Sequence, residues 1–345
     1  MAKIRAILPA NAEDPANQFP NLRAANRKIR ARYNRIYSEI YQFIKTLKYS
    51  RTFEANSWRQ PTEQERQDSA LDGKRIWEPV LVTNEYNYRL DATKQNQIAD
   101  FIQRLLYGEL LDGEDRYTPR WWLSSNLQAA YSDSIREVTE TLNDAGSQEP
   151  LVDTPEGAIM RTVLPETLLN TPAVQTRLGL VYARVFEGMK GLTDESRTDL
   201  ANTLTRAMSD GVGIPEIARR VKNRVGVSQS RAMRIARTEM LNAYRTATSD
   251  ETAELNKDLL SESDYKFELL WFSALAPTTR KWHATRHGRT YTKQEVKKFY
   301  SEGANSISCL CSQRPILVDG KGNPMQNKKL LERLKKQRES YLSTV

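Results

Sequence analysis

The sequence predicts an α+β protein that is mainly helical, with a small β-containing module near its C-terminus. Apolar residues recur every three to four positions through most of the chain, as they do along the buried face of a helix. After about residue 256 this spacing gives way to short aromatic and β-branched runs, which favour strands. The 345 residues are 39% hydrophobic and 28% charged, so the chain can bury substantial cores.

The first 150 residues are predicted to form an extended arm followed by a helical region. Residues 1–20 are rich in Pro, Asn and Ala, and residues 21–48 carry an apolar face that includes Ile29, Tyr33 and Ile36. The rest of that helix is basic, and its candidate contacts with DNA or an acidic partner are Arg27, Lys28, Arg30, Arg32 and Arg35. A solvated basic face is the other interpretation. Short strands are predicted near residues 80–82 and 86–88, and a helix over residues 93–110.

Several short helices are predicted between residues 158 and 256. We expect Gly191 to end one helix and Thr193 to cap the next. In the same way, Gly226 ends a helix, and Ser228 or Ser230 caps a long one that follows it.

The C-terminal part is predicted to hold three strands and a last helix. Residues 265–275, 289–292 and 315–318 are the strands, and residues 326–345 form a basic helix. The predicted domains are therefore an arm (1–20), a helical N-terminal region (21–150), a helical core (158–256), a β-rich module (257–325) and the C-terminal helix (326–345). The polar loop at residues 143–157 is the candidate boundary between the two large regions.

Both histidines and both cysteines of the chain lie in the β-rich module. They are His283, His287, Cys309 and Cys311. Imidazole nitrogen and thiolate sulfur are preferred ligands of tetrahedral zinc, so these four residues are a candidate structural zinc site. A Cys-x-Cys pair is closer than the usual zinc spacing, and unliganded packing or hydrogen bonding is the alternative. A small module with few apolar residues has reason to need a stabilising metal.

Charge and apolar content limit the class of protein. The net charge of +9 is unevenly distributed: residues 21–51 carry +8, residues 201–247 carry +6 and residues 326–345 carry +4, and the rest of the chain carries −9. Basic segments of this kind are typical of a protein that binds DNA or an acidic oligomer through selected faces. We expect no signal peptide and no membrane span, because no apolar run is long enough. Two cysteines cannot build a disulfide framework, which agrees with synthesis in a reducing cytoplasm.

Three motifs occur in a recognisable order between residues 165 and 320. The first is the helix–Gly–Ile-Pro-Glu stretch at residues 200–220. The second is the helical stretch 230–239, which includes Arg237, Thr238 and Glu239 and is followed by Ala243 and Ala247. The third comprises Thr279, Arg280, His283, Gly288, Asn305, Cys309 and Cys311. This part of the chain resembles the head morphogenesis, or minor head, proteins of tailed bacteriophages, the Mu F-like group. Three points differ from the family pattern: residues 274–277 lack an acid, residues 306–308 separate Asn from Cys, and His287 replaces Asp or Asn.

The resemblance implies a virion protein that is not an enzyme. Members of the family join the portal vertex or inner capsid in a few copies during assembly in the host cytoplasm, and they assist head formation or DNA delivery. The portal protein is therefore the expected partner, with the major capsid protein and packaged DNA as further candidates. Basic faces suit a protein that lies beside packaged DNA.

Two other functions compete with this one. A metal-dependent endonuclease would use His283 or His287 as a base, but with only two histidines in the chain this leaves the metal cluster one ligand short. A zinc-containing DNA-binding module would bind duplex DNA with a strong salt dependence and need no protein partner.

Overall fold

The computed structural model describes residues 8–52, 58–59, 63, 76–77, 85–111, 121–146, 165–259, 264–325 and 328–344. Its helices are α1 (Phe19–Thr46), α2 (Ala92–Leu110), α3 (Ser124–Gly146), α4 (Pro165–Leu169), α5 (Pro172–Ser209), α6 (Ile214–Leu259), α7 (Lys281–Ala284), α8 (Lys293–Ser301) and α9 (Lys328–Thr344). Its strands are β1 (Ser50–Thr52), β2 (Trp58–Arg59), β3 (Ile76–Trp77), β4 (Glu85–Asn87), β5 (Lys266–Phe272), β6 (Thr290–Tyr291) and β7 (Ser312–Val318). The predicted class, mainly helical with a small antiparallel sheet near the C-terminus, is confirmed.

Two compact units make up the fold, and each combines separate stretches of the chain. The first comprises residues 1–29, 111–189 and 231–345, and the second comprises residues 30–110 and 190–230. The five predicted domains stay a prediction. The predicted strand at residues 80–82, and the boundary loop from residue 147 onward, lie outside the described residues.

Helices α5 and α6 are continuous over 38 and 46 residues, so the predicted breaks at Gly191 and Gly226 are wrong. The hydroxyls that were expected to cap new helices have other partners. Ser228 bonds to the hydroxyl of Tyr33 at 2.8 Å, and Ser230 donates to the carbonyl of Gly226 at 2.9 Å. A single Gly costs a long helix only about 1 kcal/mol, which packing on both sides of it outweighs. None of the described helices is both long and apolar enough to cross a bilayer.

The three-stranded sheet has the order β6-β5-β7 and is antiparallel throughout. Strand β5 pairs with β7 from Lys266 opposite Val318 to Phe272 opposite Ser312. Because side chains alternate between the two faces of a strand, β5 divides its apolar residues between two cores. One face carries Leu270, Phe272, Ile316 and Val318 and is covered by Leu334 of α9. The other face carries Leu269 and Trp271, which pack with Val296, Phe299, Cys309 and Cys311.

Buried polar contacts join the sheet to the helices of the first unit. Arg314 of β7 forms an ion pair with Glu137 of α3 at 2.5 Å, and the hydroxyl of Tyr244 also donates to that carboxylate. Arg314 donates as well to the carbonyl of Pro15 at 3.2 Å. Residues close to Pro15, which were predicted to be part of an extended arm, are therefore packed within this unit; Gln18, for example, is fully buried.

Candidate metal centre

The second face of the sheet brings together His283, Cys309 and Cys311. His283 lies on the short helix α7, and the two cysteines lie in the segment that enters β7. The Nδ1 atom of His283 is 3.3 Å from the sulfur of Cys309 and 3.6 Å from that of Cys311. All three potential ligand atoms lie within 4.8 Å of one another, and all three residues are buried. The group could hold a metal ion.

The surroundings of Cys309 favour its thiolate form. Hydrogen bonds from the thiol of Cys311 and from His283, together with the charge of Arg245, hold the pKa of Cys309 well below its usual range in spite of burial. Burial and the neighbouring Cys309 raise the pKa of Cys311 well above its usual range. These opposite shifts favour a thiolate at Cys309 and a thiol at Cys311.

Further polar groups surround the two sulfurs. The hydroxyl of Tyr300 lies 3.8 Å from the Cys309 sulfur, and this hydroxyl accepts from Gln313 at 2.9 Å. Its own proton is therefore free to point at the sulfur. The Cys311 sulfur lies 3.5 Å from the hydroxyl of Ser273. A thiolate in this position is satisfied by hydrogen bonds and is also placed for metal binding.

Arg280 connects His283 to the loop before the cysteines. Its guanidinium donates to the carbonyl of Ile307 at 3.1 Å and lies 3.4 Å from the Nε2 atom of His283. Since a guanidinium can only donate, this contact places the imidazole proton on Nδ1, facing Cys309. A metal on Nδ1 would require Nε2 to carry the proton, so the contact with Arg280 would be given up. Arg280 would keep its bond to Ile307 and its 3.5 Å contact with the carbonyl of Asn305.

The remaining residues of the third motif fix the backbone around this group. The hydroxyl of Thr279 accepts the backbone N–H of Ala276 at 3.0 Å, and Asn305 donates to the carbonyl of Phe299 at 2.9 Å. Gly288 has a φ of 71°, and a Cβ at this position would lie 2.6 Å from that of Leu334. Turn geometry and close packing therefore account for these residue types.

Two side chains of helix α6 also bond to the loop before the cysteines. Thr238 accepts the backbone N–H of Ser308 at 3.0 Å, and Arg245 donates to the carbonyl of Cys309 at 2.9 Å. Glu239 instead forms an ion pair with Arg184 of α5 at 2.8 Å, and Arg237 has a buried Nε atom without a hydrogen-bond partner in the described structure.

A family comparison agrees with these motifs. Residues 198–314 match the family described as Phage Mu protein F like protein. The match supports the resemblance of this region to the Mu F-like phage head proteins. No curated protein and no solved structure matches the chain. The Mu F-like region covers about one third of the sequence, and its family is one of structural and head-morphogenesis proteins, found in virions.

Within the Mu F-like region, His287 does not join the other three predicted ligands. Its Nδ1 atom accepts the backbone N–H of Ser273 at 3.0 Å, and its Nε2 atom lies 3.3 Å from the side-chain oxygen of Gln337. The ring therefore carries its proton on Nε2 and uses both nitrogens to link β5 to α9. Burial is the main cause that lowers the pKa of His287, so the neutral form is favoured. The structure assigns this residue a structural contact in place of metal binding.

Several side chains beside the site carried no recognisable signal in the sequence. Ser273 and Tyr300 contact the sulfurs, and Gln313 donates to the hydroxyl of Tyr300, only because the sheet and α8 fold together here. Arg245 is the exception. It follows Thr238 by seven residues on the same helix, and residues seven apart lie on one helical face. That spacing places both next to the cysteine loop and could have identified Arg245.

The predicted basic contacts of helix α1 fall into two groups. Lys28 donates to the side chain of Asn126 at 2.7 Å, and Arg35 forms two hydrogen bonds with Glu109, at 2.9 and 2.8 Å. Arg32 donates to the backbone of Glu109. These three side chains have partners within the protein, although Arg35 is exposed, and Arg27 and Arg30 are exposed as well. Of the five predicted residues, the last two are the ones available for an external partner.

Proposed function

We propose that the chain is a minor head protein that associates with the portal vertex in several copies and assists head assembly and DNA packaging or ejection. It would act in the host cytoplasm during assembly and remain in the virion, with the portal protein as its main partner and the major capsid protein and packaged DNA as further ones. The observation that carries the proposal is the Mu F-like match over residues 198–314.

The contacts of the family motifs support a structural role over an enzymatic one. Thr238, Thr279 and Arg280 all bond to backbone groups of turns and loops. Side chains used in this way hold turns and loops in place. This use of the motif residues is what we expect of a structural protein.

Co-expression with the portal protein encoded beside its gene tests the proposal. Native mass spectrometry of the purified portal ring should show added masses that are multiples of this chain. The same portal expressed alone is the control for ring size. A bare ring together with free chain would contradict direct portal attachment, and the DNA-binding alternative would then take its place.

We further propose that His283, Cys309 and Cys311 bind one structural zinc ion. Two sulfurs and one imidazole nitrogen in close approach are a ligand set that zinc prefers over harder cations, and binding would replace the buried proton of Cys311 by a cation. Three protein ligands leave a fourth position for water or a nearby oxygen ligand, such as the hydroxyl of Ser273. The proposal thus differs from the four-ligand site that the sequence indicated.

Zinc binding is tested by measuring metal content and thermal stability of three proteins. The native chain should hold one zinc, Cys309→Ser should hold none and melt several degrees lower, and His287→Ala should keep its zinc although it also loses stability. Zinc lost from both variants would restore His287 as a ligand. A native chain that binds no added zinc would leave the hydrogen-bonded thiolate as the native state.

A further inference from the structure

A polar groove of about 500 Å³ lies in the second compact unit, between the end of α5 and the start of α6. Four of its lining residues are arginines, namely Arg206, Arg219, Arg220 and Arg224. Its single lining carboxylate belongs to Asp199. The lining itself therefore carries an excess of three positive charges.

The remaining lining residues are hydrogen-bonding side chains with one exception. Asn202, Thr203 and Asn223 contribute amide and hydroxyl groups, and Val227 is the apolar exception. On each helix, lining residues recur at positions i, i+3, i+4 and i+7, so they lie along one face of that helix. From residue 220 to residue 227 such a face is about 10 Å long, the length of about three nucleotides of one strand.

Two carboxylates outside the lining hold two of the guanidiniums in place. Glu216 accepts from Arg219 at 2.7 Å and from Arg220 at 2.9 Å, and Asp210 accepts from Arg220 at 2.5 Å. The hydrogen bonds from Arg219 and then Arg220 lower the pKa of Glu216 to about 2, so it stays ionised at neutral pH. Each guanidinium has five N–H donors, and these contacts leave donors on both for a ligand.

The other two arginines of the groove, Arg224 and Arg206, form weaker contacts within the protein. Arg224 lies 3.6 Å from Asp199 in an exposed ion pair, and such pairs contribute little to stability. Arg206 is exposed and has no carboxylate partner among the described residues. An anion with several oxygens that entered the groove would give both side chains a better partner.

We propose that this groove binds the phosphate backbone of DNA. Guanidinium, amide and hydroxyl donors are the groups that bind phosphate oxygens in protein–DNA complexes. An interface with an acidic protein would also bring an apolar core, and Val227 alone does not supply one. Binding would be independent of base sequence because the contacts are to phosphates. The inference rests on the proposed place of the chain in the phage head, where DNA is the abundant polyanion.

Fluorescence anisotropy with a labelled mixed-sequence duplex of about 24 base pairs tests the groove over a range of salt concentrations. For the native full-length chain we expect a dissociation constant on the order of 10⁻⁵ M near physiological salt. The double variant Arg206→Gln/Arg224→Gln should bind roughly tenfold more weakly, with a shallower dependence of affinity on salt. Asp199→Asn should bind more tightly, since it removes the single lining carboxylate.

Arg104→Gln is the control, because it removes an exposed arginine of the same unit that does not line the groove. It should bind less than about twofold more weakly. Equal affinity for the double variant and the native chain, or an equal loss in the control, would overturn the proposal. Binding of labelled poly-glutamate by a chain that does not bind the duplex would assign the groove to an acidic protein segment and also overturn the proposal. If the double variant still attaches to the portal, its loss of DNA binding is distinguished from a failure of the proposed assembly function.

Discussion

Two arginines position the loop of the His/Cys site. Arg280 and Arg245 donate to the carbonyls of Ile307 and Cys309, so both fix the loop that carries the first cysteine. Arg245 also stacks over the ring of Tyr300 at 4.3 Å. Positive charge that is buried beside a sulfur favours the thiolate, which is the form that binds metal. Arg280 of the family motif and Arg245 thus position the backbone around the Cys309 sulfur.

At the residue scale, Gly288→Ala should be strongly destabilising. The added Cβ would force an L-residue into a left-handed conformation and would meet the Cβ of Leu334 at 2.6 Å. The strain and the clash together should cost about 2–4 kcal/mol of unfolding free energy, as measured by urea denaturation. Gly303→Ala is the matched control, since its φ is 52° but nothing lies within 4 Å. It should cost only about 1–2 kcal/mol; an equal loss in both would contradict the packing argument.

The sequence identified the ligand types but not the ligand set. Clustering in the chain placed His283 and His287 in one candidate group, and the structure separates them because α7 ends at Ala284 and a turn follows. A helix over both residues would have put the two rings on one face. The direction of the His287 side chain depends on packing against β5 and α9. The spacing of residues in the sequence carries no information on that packing.

Helices α5 and α6 show how tertiary packing overrides local signals for a helix end. Gly, Thr and Ser are common at helix ends, and the sequence places them at plausible spacings. In the fold Thr193 is fully buried and Ser228 lies in a hydrogen-bonded cluster with Tyr33 and Ser196. Burying these side chains in a continuous helix keeps the backbone bonds and satisfies the hydroxyls as well.

At the element scale, Gly191→Ala tests the continuity of α5. Gly191 is exposed, and nothing lies within 4 Å of an added Cβ. Alanine inside a helix should therefore raise the unfolding free energy by about 0.5–1 kcal/mol in urea denaturation. Gly211→Ala, at the turn between α5 and α6 where φ is 64°, should instead destabilise. A loss of stability in Gly191→Ala would indicate that the helix ends there.

The N-terminus of α8 gives a prediction for the effect of pH. Thr292 accepts the backbone N–H of Glu295 at 3.2 Å, and Glu295 accepts that of Thr292 at 2.8 Å, which is a capping box. The bond from the Thr292 backbone is the main cause that lowers the pKa of Glu295. Stability from this carboxylate is therefore present above its ordinary pKa of 4.5 and is lost as the pH falls through the lowered value.

Glu295→Gln measures that contribution. We expect the variant to be less stable than the native chain by about 0.5–1 kcal/mol near pH 7, and we expect the difference to shrink towards about pH 3.5. Urea denaturation at both pH values provides the measurement, and Glu302→Gln, at the other end of the helix, is the control. A difference that grows with acidity would contradict the assigned sign.

At the scale of the whole molecule, each compact unit is assembled from stretches that are far apart in the chain. In the second unit, α1 contributes Tyr33 to the cluster around Ser228, and Gln103 of α2 accepts from Arg197 at 2.8 Å. In the first unit, Ser134 of α3 lies 2.7 Å from Thr248 of α6. The Mu F-like region contributes residues to both units.

A chain that begins at residue 158 should therefore fold poorly. It would keep the family motifs but lose the partners that α1, α2 and α3 provide, including Glu137, the ion-pair partner of Arg314. Differential scanning calorimetry should show a broad transition at a lower temperature than for the full chain. Co-expression of residues 1–157 should restore the sharp transition. A fragment that melts like the full chain would establish the predicted boundary as that of an independent domain.

By itself the sequence determined the mainly helical class, the β-containing module, the family and the residue types of the candidate metal site, because periodicity and motif order are local properties of the chain. The tertiary structure decided which ligands meet, which helices continue through Gly191 and Gly226, and which basic side chains are already engaged. Each of these outcomes depends on contacts between residues far apart in the chain, and the free energy of those contacts exceeds the local preferences of about 1 kcal/mol that a sequence displays.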